Sequence, residues 1–189
     1  MIRKSISALA AMLAILSLTA CGESVEDKQA AADAARSELL QESSSNRLPN
    51  GASGSCTGDN DKLSAVRLAT ADDYLTLNVD GFDADQGTTV LYDIMFTSDT
   101  GDMSQVGLKT MNATNENLQY VYNFTDKKQE NYGSWDNRMI HSGTFSNSIP
   151  VDKIMGGDVT AWKATLSVDG IKVATCPSDG TSAMLRVEE

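Results

Sequence analysis

Alternation of apolar and polar side chains with a period of two is the feature that most constrains the fold of this chain. The clearest example is "AWKATLSVDGIKVATC", in which two alternating segments flank Asp169 and Gly170. Asp-Gly between alternating segments predicts a two-residue hairpin loop, because a type I′ turn needs positive φ at both central residues. We therefore expect two antiparallel strands joined at this turn.

The turn also predicts the register of the hairpin. A two-residue loop pairs Val168 with Ile171, and each following step pairs the next residue on either side. The face directed at the core would then carry Trp162, Ala164, Leu166, Val168, Ile171, Val173 and Thr175. In the same register Cys176 lies opposite Lys163 on the other face, next to Pro177.

Three more segments alternate in the same way: "DYLTLNVD", "TVLYDIMF" and "NLQYVYNF". They are rich in β-branched and aromatic residues and are separated by Gly, Asp and Asn, so they predict half-buried antiparallel strands. Their apolar, core-facing sets would be Leu75, Leu77 and Val79; Val90, Tyr92, Ile94 and Phe96; and Leu118, Tyr120, Tyr122 and Phe124.

Six to eight short strands at this spacing predict an all-β fold, either an antiparallel β-sandwich (Ig-like or similar) or a small barrel. The segment "IPVDKIMGGDVTAWKATLSVDG" is similar to the late part of bacterial Ig-like and fibronectin-III-like domains. That resemblance implies the sandwich and carries no functional residues.

The first twenty residues differ from the rest of the chain. Arg3 and Lys4 precede an apolar run from Ile6 to Ala20 that contains only small hydroxyl residues as interruptions. A positive start, a short apolar centre and small residues before a cleavage site are typical of a secretory signal peptide. The run is shorter than the roughly 20 residues that a membrane-spanning helix needs.

The run ends in Leu18-Thr19-Ala20-Cys21, which resembles the lipobox of bacterial lipoprotein precursors. The resemblance implies that Cys21 carries a diacylglycerol thioether, becomes the first mature residue and is N-acylated with a fatty acid such as palmitate. Several acyl chains anchor firmly, because each buried CH₂ contributes about 0.8 kcal/mol. Gly22, where the family uses Asp for inner-membrane retention, implies the outer membrane. The alternative is an ordinary secreted protein with an unmodified Cys21.

Residues 21–55 are expected to be a tether. Glu23–Gln41 consists mainly of good helix formers with only a thin apolar stripe, which predicts a partly helical or disordered segment. Glu42–Ser55 is rich in Ser, Asn and Gly, a composition typical of a flexible linker. The predicted organisation is a signal peptide over 1–20, a lipidated tether over 21–55 and a β-sandwich domain over 56–189.

The remaining cysteines predict one disulfide. If Cys21 is acylated, Cys56 and Cys176 are an even pair in an oxidising compartment. Two free thiols are the alternative. From the predicted register we expect this disulfide to join the start of the domain to the outer face or rim of the sheet and not to lie in the core.

The charge of the chain limits its partners. The whole chain has a net charge of −11, and removal of residues 1–20 takes away Arg3 and Lys4 and no acidic side chain, which leaves −13. An acidic chain argues against nucleic acids or anionic lipid headgroups as partners, since both require clustered Lys and Arg. The acidity is compatible with solubility alone or with cationic partners.

Candidate catalytic and metal-binding residues are few. His141 is the single histidine, and neither a zinc site nor a Gly-x-Ser-x-Gly triad motif accompanies it, so we expect no enzyme and no cofactor. Asn78, Asp80, Asp83 and Asp85 in "NVDGFDADQG" place oxygen ligands close together, as calcium requires. Their spacing departs from an EF-hand loop, so we favour a solvated acidic turn and keep a calcium site as the alternative.

The segment "TDKKQENYGSWDNR" is the candidate binding surface. It is polar, lies between two predicted strands, and carries the aromatic and cationic side chains Lys127, Lys128, Tyr132, Trp135 and Arg138. Exposed aromatic residues beside Lys or Arg are typical of binding hot spots. The alternative is that Trp135 folds back and covers the edge of the sheet.

Together these features predict a lipid-anchored cell-envelope protein that acts as a non-catalytic binding or scaffolding module. Its partner in the envelope would be a protein or a glycan. The alternative function is inhibition of cationic cell-wall hydrolases of the lysozyme type, which the acidity of the chain favours.

Overall fold

The computed structural model of the chain describes residues 29, 48–136, 139–154 and 160–187. The predicted lipobox with Cys21, the predicted signal peptide and the predicted tether up to residue 47, apart from Gln29, lie outside these residues. Within the described part the fold is all-β and antiparallel, as predicted. Across these same ranges, no helix has the length and apolar character needed to cross a membrane.

Twelve strands are described. They are β1 (Ala52–Asn60), β2 (Leu63–Ala71), β3 (Tyr74–Asp80), β4 (Thr89–Ser98), β5 (Met103–Met111), β6 (Glu116–Asn123), β7 (Lys128–Asn131), β8 (Ile140–His141), β9 (Thr144–Pro150), β10 (Thr160–Val168), β11 (Ile171–Cys176) and β12 (Ala183–Val187). A short 3-10 helix, Val151–Lys153, follows β9.

The strands form one path in the order β7-β6-β5-β4-β10-β12-β1-β2-β3-β9-β8, and β11 pairs with β10 beside β12. We call β4, β5, β6, β7, β10 and β11 the β4 half, and β1, β2, β3, β8 and β9 the β2 half. β12 joins the halves, because Ala183–Leu185 pair with β10 while Arg186 and Val187 pair with β1.

The two halves share one hydrophobic core, which gives the β-sandwich arrangement. Phe82, after β3, stacks on Tyr92 of the β4 half with ring centroids 4.4 Å apart and on Phe145 of the β2 half at 4.9 Å. The predicted inward sets on β3 and β4 are confirmed, since Leu75, Leu77, Val79, Val90, Tyr92, Ile94 and Phe96 are all buried.

The prediction of which face of β6 points into the core is wrong. Gln119 and Val121 are buried, and Leu118, Tyr120, Tyr122 and Phe124 lie on the opposite side. The cause is the pairing with β5, in which Val121 lies opposite the buried Val106 and Gln119 lies opposite the buried Leu108. Gln119 is tolerated there because its side-chain oxygen accepts a hydrogen bond from Asn147 Nδ2.

The β10–β11 hairpin confirms the predicted turn and corrects the predicted register. Asp169 and Gly170 have φ values of 52° and 80°, as a type I′ turn requires. Val168 pairs with Ile171 as expected, but a bulge at Val173 then shifts the register by one residue. Ile171 and Val173 are 69% and 43% exposed, whereas the expected arrangement buried both.

The same bulge changes the environment of the disulfide. Cys176 pairs with Ala164 instead of Lys163 and is fully buried. It is bonded to Cys56, with the two Cα atoms 5.6 Å apart. The predicted disulfide is therefore present, but its expected place on the outer face or rim is wrong, because one extra residue turns every later side chain of a strand to the other face.

The folded domain begins earlier than residue 56. β1 starts at Ala52, and Leu48 is buried in the core. Thr70 holds this segment in place, because its Oγ1 donates a hydrogen bond to the Pro49 carbonyl (2.5 Å) and accepts one from the Ala52 amide (2.8 Å). Residues 48–55, which composition assigned to the linker, therefore belong to the domain.

Candidate functional site

Trp135 is a core residue. Its side chain is 2% exposed and makes edge-to-face contacts with Phe82 and Phe145, with centroid distances of 5.1 Å and 5.8 Å. Of the two alternatives, the structure has the one in which the indole folds back. Trp135 therefore offers no aromatic face to a partner, and Arg138, the cation expected beside it, lies outside the described residues.

Lys128 of the same segment belongs to a small ionic cluster with Glu130 and Lys153. Lys128 Nζ lies 2.8 Å from Glu130 Oε1, and Lys153 Nζ lies 3.3 Å from Glu130 Oε2. The hydrogen bond from Lys128, followed by that from Lys153, lowers the pKa of Glu130. Burial and then the charge of Glu130 raise the pKa of the half-buried Tyr132. Lys127 occupies the preceding turn with a φ of 53°.

These ion pairs border a cavity of about 160 Å³ between β6, β7 and the 3-10 helix. Asp126 and Asp152 also line it, so the cavity brings acidic and basic side chains together. The segment therefore does not combine an exposed tryptophan with free cations on one surface, which is what the sequence indicated.

The four candidate calcium ligands are directed to other partners. Asp80 accepts two hydrogen bonds from the guanidinium of Arg67 (2.5 and 2.9 Å), and Asp83 accepts one from Lys62 Nζ (2.7 Å). These hydrogen bonds lower the pKa of both carboxyl groups.

Asn78 lies within β3, and Asp85 donates its backbone N–H to Asp83 Oδ1. Across the described ranges, no group of three or more His, Cys, Asp and Glu side chains could hold a metal ion. Salt bridges to Lys62 and Arg67 engage the carboxylates of Asp83 and Asp80, and a calcium site at these residues stays a prediction. His141 lies exposed in the two-residue strand β8.

The most unusual surface is the outer side of the β4 half, which we call the outer face. It consists of the residues that alternate with the core residues on four neighbouring strands. They are Leu91, Asp93 and Met95 on β4, Met103, Gln105, Gly107 and Lys109 on β5, Leu118, Tyr120 and Tyr122 on β6 with Phe124 directly after it, and Lys163 and Thr165 on β10. Large apolar and aromatic side chains therefore lie on both sides of this half of the sheet.

Tyr120 lies across the centre of the outer face. Its partner in the register is Gly107, and a Cβ built on Gly107 would lie 2.2 Å from the Tyr120 Cζ atom. The absence of a side chain at Gly107 is therefore what allows the ring to lie on the sheet. Gln105 Nε2 lies 3.5 Å from the Tyr120 hydroxyl. Burial, followed by the charge of Asp93, raises the pKa of Tyr120.

Asp93 is the carboxylate at the middle of the outer face. It lies between Gly107 on one side and Thr165 on the other, with Lys163 diagonally opposite. Burial raises its pKa from 3.8 to about 6, and the charge of Lys163 offsets only part of this increase. From the described residues, no hydrogen bond or ion pair reaches the carboxylate. A desolvated carboxylate kept without a partner is typical of functional sites.

The aromatic rings of the outer face do not form a flat platform. The Tyr122 and Phe124 centroids are 4.8 Å apart, and the two ring planes meet at 81°. The edge of one ring thus points at the face of the other. The arrangement gives a ridged surface, rich in apolar and aromatic side chains, with the carboxylate of Asp93 at its centre.

One residue in the sequence is a signal for this face. In "TVLYDIMF" Asp93 lies in the middle of a strand whose other residues favour β-structure, and a charge there is costly unless it faces water. The aromatic set of β6 was recognised but was expected in the core.

No protein-family model matches the chain, and no curated protein or solved structure matches it either.

Proposed function

We propose that the protein is a lipid-anchored, non-catalytic binding module of the bacterial outer membrane, and that its partner is a protein that docks on the outer face. The N-terminal residue pattern supports the anchor, with Cys21 as the acylated residue. Asp93 supports the docking face, because it is a desolvated acceptor that the described residues leave without a hydrogen bond on a half-buried surface.

The chemistry of the outer face favours a protein partner over a glycan. Tyr, Phe and Met side chains are enriched at protein interfaces. Extended stacking on sugar rings would need successive rings with similar planes, whereas Tyr122 and Phe124 are nearly perpendicular. The partner would lay apolar side chains against Tyr120 and Tyr122 and direct one N–H donor at Asp93. Such a hydrogen bond to a charged acceptor contributes about 1.5–3 kcal/mol.

Site-specific photo-cross-linking in intact cells tests the docking face. A photoreactive residue at Tyr122 should yield a discrete cross-linked protein, and the same residue at Tyr74 should not. Tyr74 is a matched control, since it is a tyrosine on β3 of the β2 half and is 49% exposed. Equal cross-linking at both positions, or none at Tyr122, would contradict the proposal.

The variant Asp93→Asn tests whether the carboxylate takes part in docking. It keeps the shape of the side chain and removes the charged acceptor, so the cross-link formed from Tyr122 should weaken at least about tenfold. The variant does not threaten the fold, because it removes a desolvated charge. An undiminished cross-link in Asp93→Asn would exclude Asp93 as the recognition residue.

The anchor needs its own measurement. The intact mass of protein extracted from membranes should correspond to a chain that begins at Cys21 and carries three acyl chains. Cys21→Ser should abolish this mass increase. A soluble mature chain with no added acyl mass would exclude the anchor and the outer-membrane location together.

Inhibition of cationic cell-wall hydrolases is the second candidate function, supported by the net charge of −13 without residues 1–20. Protection of peptidoglycan from lysozyme by the purified protein measures it directly. If protection is found, its dependence on Asp93 shows whether the hydrolase occupies the outer face.

A further inference from the structure

A second surface lies at the seam between the two halves of the sheet. β12 pairs with β1 only through Ala52–Val187 and Ser53–Arg186, and its earlier residues pair with β10 instead. β12 thus exchanges β1 for β10 as its partner at this seam. Residues of β1, β2 and β12, together with Ser182, line an open groove of about 610 Å³ here, which we call the seam groove. This size is within the range of small-molecule sites, about 300–1,000 Å³.

Gly54 sets how closely the strands approach at the floor of the seam groove. A Cβ at this position would lie 2.6 Å from the Met184 carbonyl oxygen and 2.9 Å from Trp162 Nε1. Any larger residue would therefore push β1 away from β12 and from the indole. The groove has a defined floor because position 54 carries no side chain.

The lining of the seam groove includes two arginines and no acidic side chain, and Asp80 pairs with one of them, Arg67, from outside the lining. Arg67 and Arg186, the two arginines within the described ranges, both line it, and no aspartate or glutamate does. Ser53, Ser55 and Ser182 line it as well. In a chain with a net charge of −11, this local set of cations and hydroxyls needs a specific explanation.

The register places these side chains on adjacent strands. Arg186 lies opposite Ser53, and Ser55 lies opposite Arg67. Two strand spacings and a two-residue offset separate the Cα atoms of the two arginines by about 12 Å. Two extended arginine side chains can converge on one small anion across such a distance, with the serine hydroxyls between them.

The two guanidinium groups differ in how firmly the surrounding residues hold them. Asp80 accepts two hydrogen bonds from Arg67, which orients that guanidinium and leaves three of its five N–H donors for another acceptor. Arg186 is exposed and makes no ion pair with any residue in the described ranges. One cation is therefore fixed in place, and the second is able to close over a ligand.

We propose that the seam groove binds a phosphate group. Arginine N–H donors match phosphate oxygens in bidentate geometry. Donors that approach from β1, β2 and β12 suit a tetrahedral anion with several acceptor oxygens better than a planar carboxylate. The phosphate is carried by a soluble phosphorylated molecule or by a lipid headgroup. This site is separate from the outer face and does not depend on the docking proposal.

Titration of the full mature chain followed by NMR tests this site. In micelles of a neutral detergent, inorganic phosphate should shift the backbone amide signals of Ser53, Ser55 and Ser182 in a saturable manner. Arg186→Gln should weaken the affinity for phosphate at least about tenfold, because the variant loses one charge-assisted hydrogen bond. Lys172→Gln, which removes an exposed cation from β11 outside the groove, should change it less than about twofold.

A parallel titration with micelles that contain phosphatidylglycerol distinguishes the two sources of phosphate. Saturation by inorganic phosphate in solution assigns the groove to soluble phosphorylated molecules. Saturation only with phosphatidylglycerol assigns it to a headgroup. The proposal is overturned if neither probe shifts these amides, or if Arg186→Gln and Lys172→Gln weaken binding equally.

Discussion

The stability of this domain should increase when Asp93 loses its charge, which is the reverse of what removal of a buried polar group usually does. Burial raises the pKa of Asp93 from 3.8 to about 6, so the folded protein holds the proton more tightly than the unfolded chain does. Below pH 4 the carboxyl group is protonated in both states and adds no penalty. Between pH 4 and 6 the unfolded chain ionises first, and folding becomes less favourable as the pH rises.

The size of the effect follows from the shift. One pKa unit corresponds to about 1.36 kcal/mol, so a shift of about two units gives about 3 kcal/mol above pH 6. Water reaches part of the side chain and screens it, so we expect Asp93→Asn to raise the free energy of unfolding by about 1–3 kcal/mol at pH 7.5. At pH 3 the variant and the parent should agree within about 0.5 kcal/mol.

Urea denaturation of both proteins at pH values from 3 to 8 measures this difference. Lys163 on β10, Lys109 on β5 and Tyr120 on β6 face Asp93 from the neighbouring strands. Because only the carboxyl group differs between the two proteins, the pH dependence of the difference belongs to that group. Asp99→Asn, in the exposed β4–β5 turn, is the control for the change in net charge.

An Asp93→Asn variant that is less stable than the parent at pH 7.5 would refute this reasoning. A stability gain that is equal at pH 3 and pH 7.5 would also refute it, because the gain would then have a cause other than ionisation. Comparable gains in Asp93→Asn and Asp99→Asn would assign the effect to net charge alone.

Three further predictions concern the core and the hairpin. Replacing Cys56 and Cys176 by alanine should cost up to about 5 kcal/mol in urea denaturation, the loop-closure term for the 120-residue loop; a loss below about 1 kcal/mol would contradict this. Trp135→Ala should cost about 3–5 kcal/mol, because it leaves a cavity beside Phe82, and a near-neutral result by the same assay would show that the indole is not a core residue. Val173→Lys should change the melting temperature little, because Val173 is exposed at the bulge, whereas Ala174→Lys should prevent stable folding, because Ala174 is buried. If Val173→Lys were the more damaging of the two, the bulge would lie elsewhere.

The inward-facing sets of β3 and β4 could be predicted from the sequence because polar residues mark the opposite face, namely Thr76 and Asn78 on β3 and Asp93 on β4. The same rule failed for β6, where Tyr120 and Tyr122 alternate with Gln119 and Val121. The rule assigns the more apolar face of β6 to the core, but in the structure that face is the outer one. Pairing with β5 decided the orientation, since Val106 and Leu108 on that strand are buried.

The candidate site was predicted only in part. Trp135 and Lys128 are unusual in the sequence, but only the fold shows that Trp135 enters the core and that Lys128 pairs with Glu130. Asp93 was missed because its pKa depends on how Tyr120, Gly107 and the neighbouring strands exclude water. That exclusion exists only after distant strands pair.

The sequence by itself determined the features that depend on neighbouring residues along the chain: the alternation, the type I′ turn at Asp169-Gly170 and the all-β class. Tertiary structure alone decided which face of β6 is buried, where the β10–β11 register shifts and which side Cys176 faces. The physical reason is that a strand exposes two faces of similar local character. Only burial against strands that are far away in the chain makes one of them the interior.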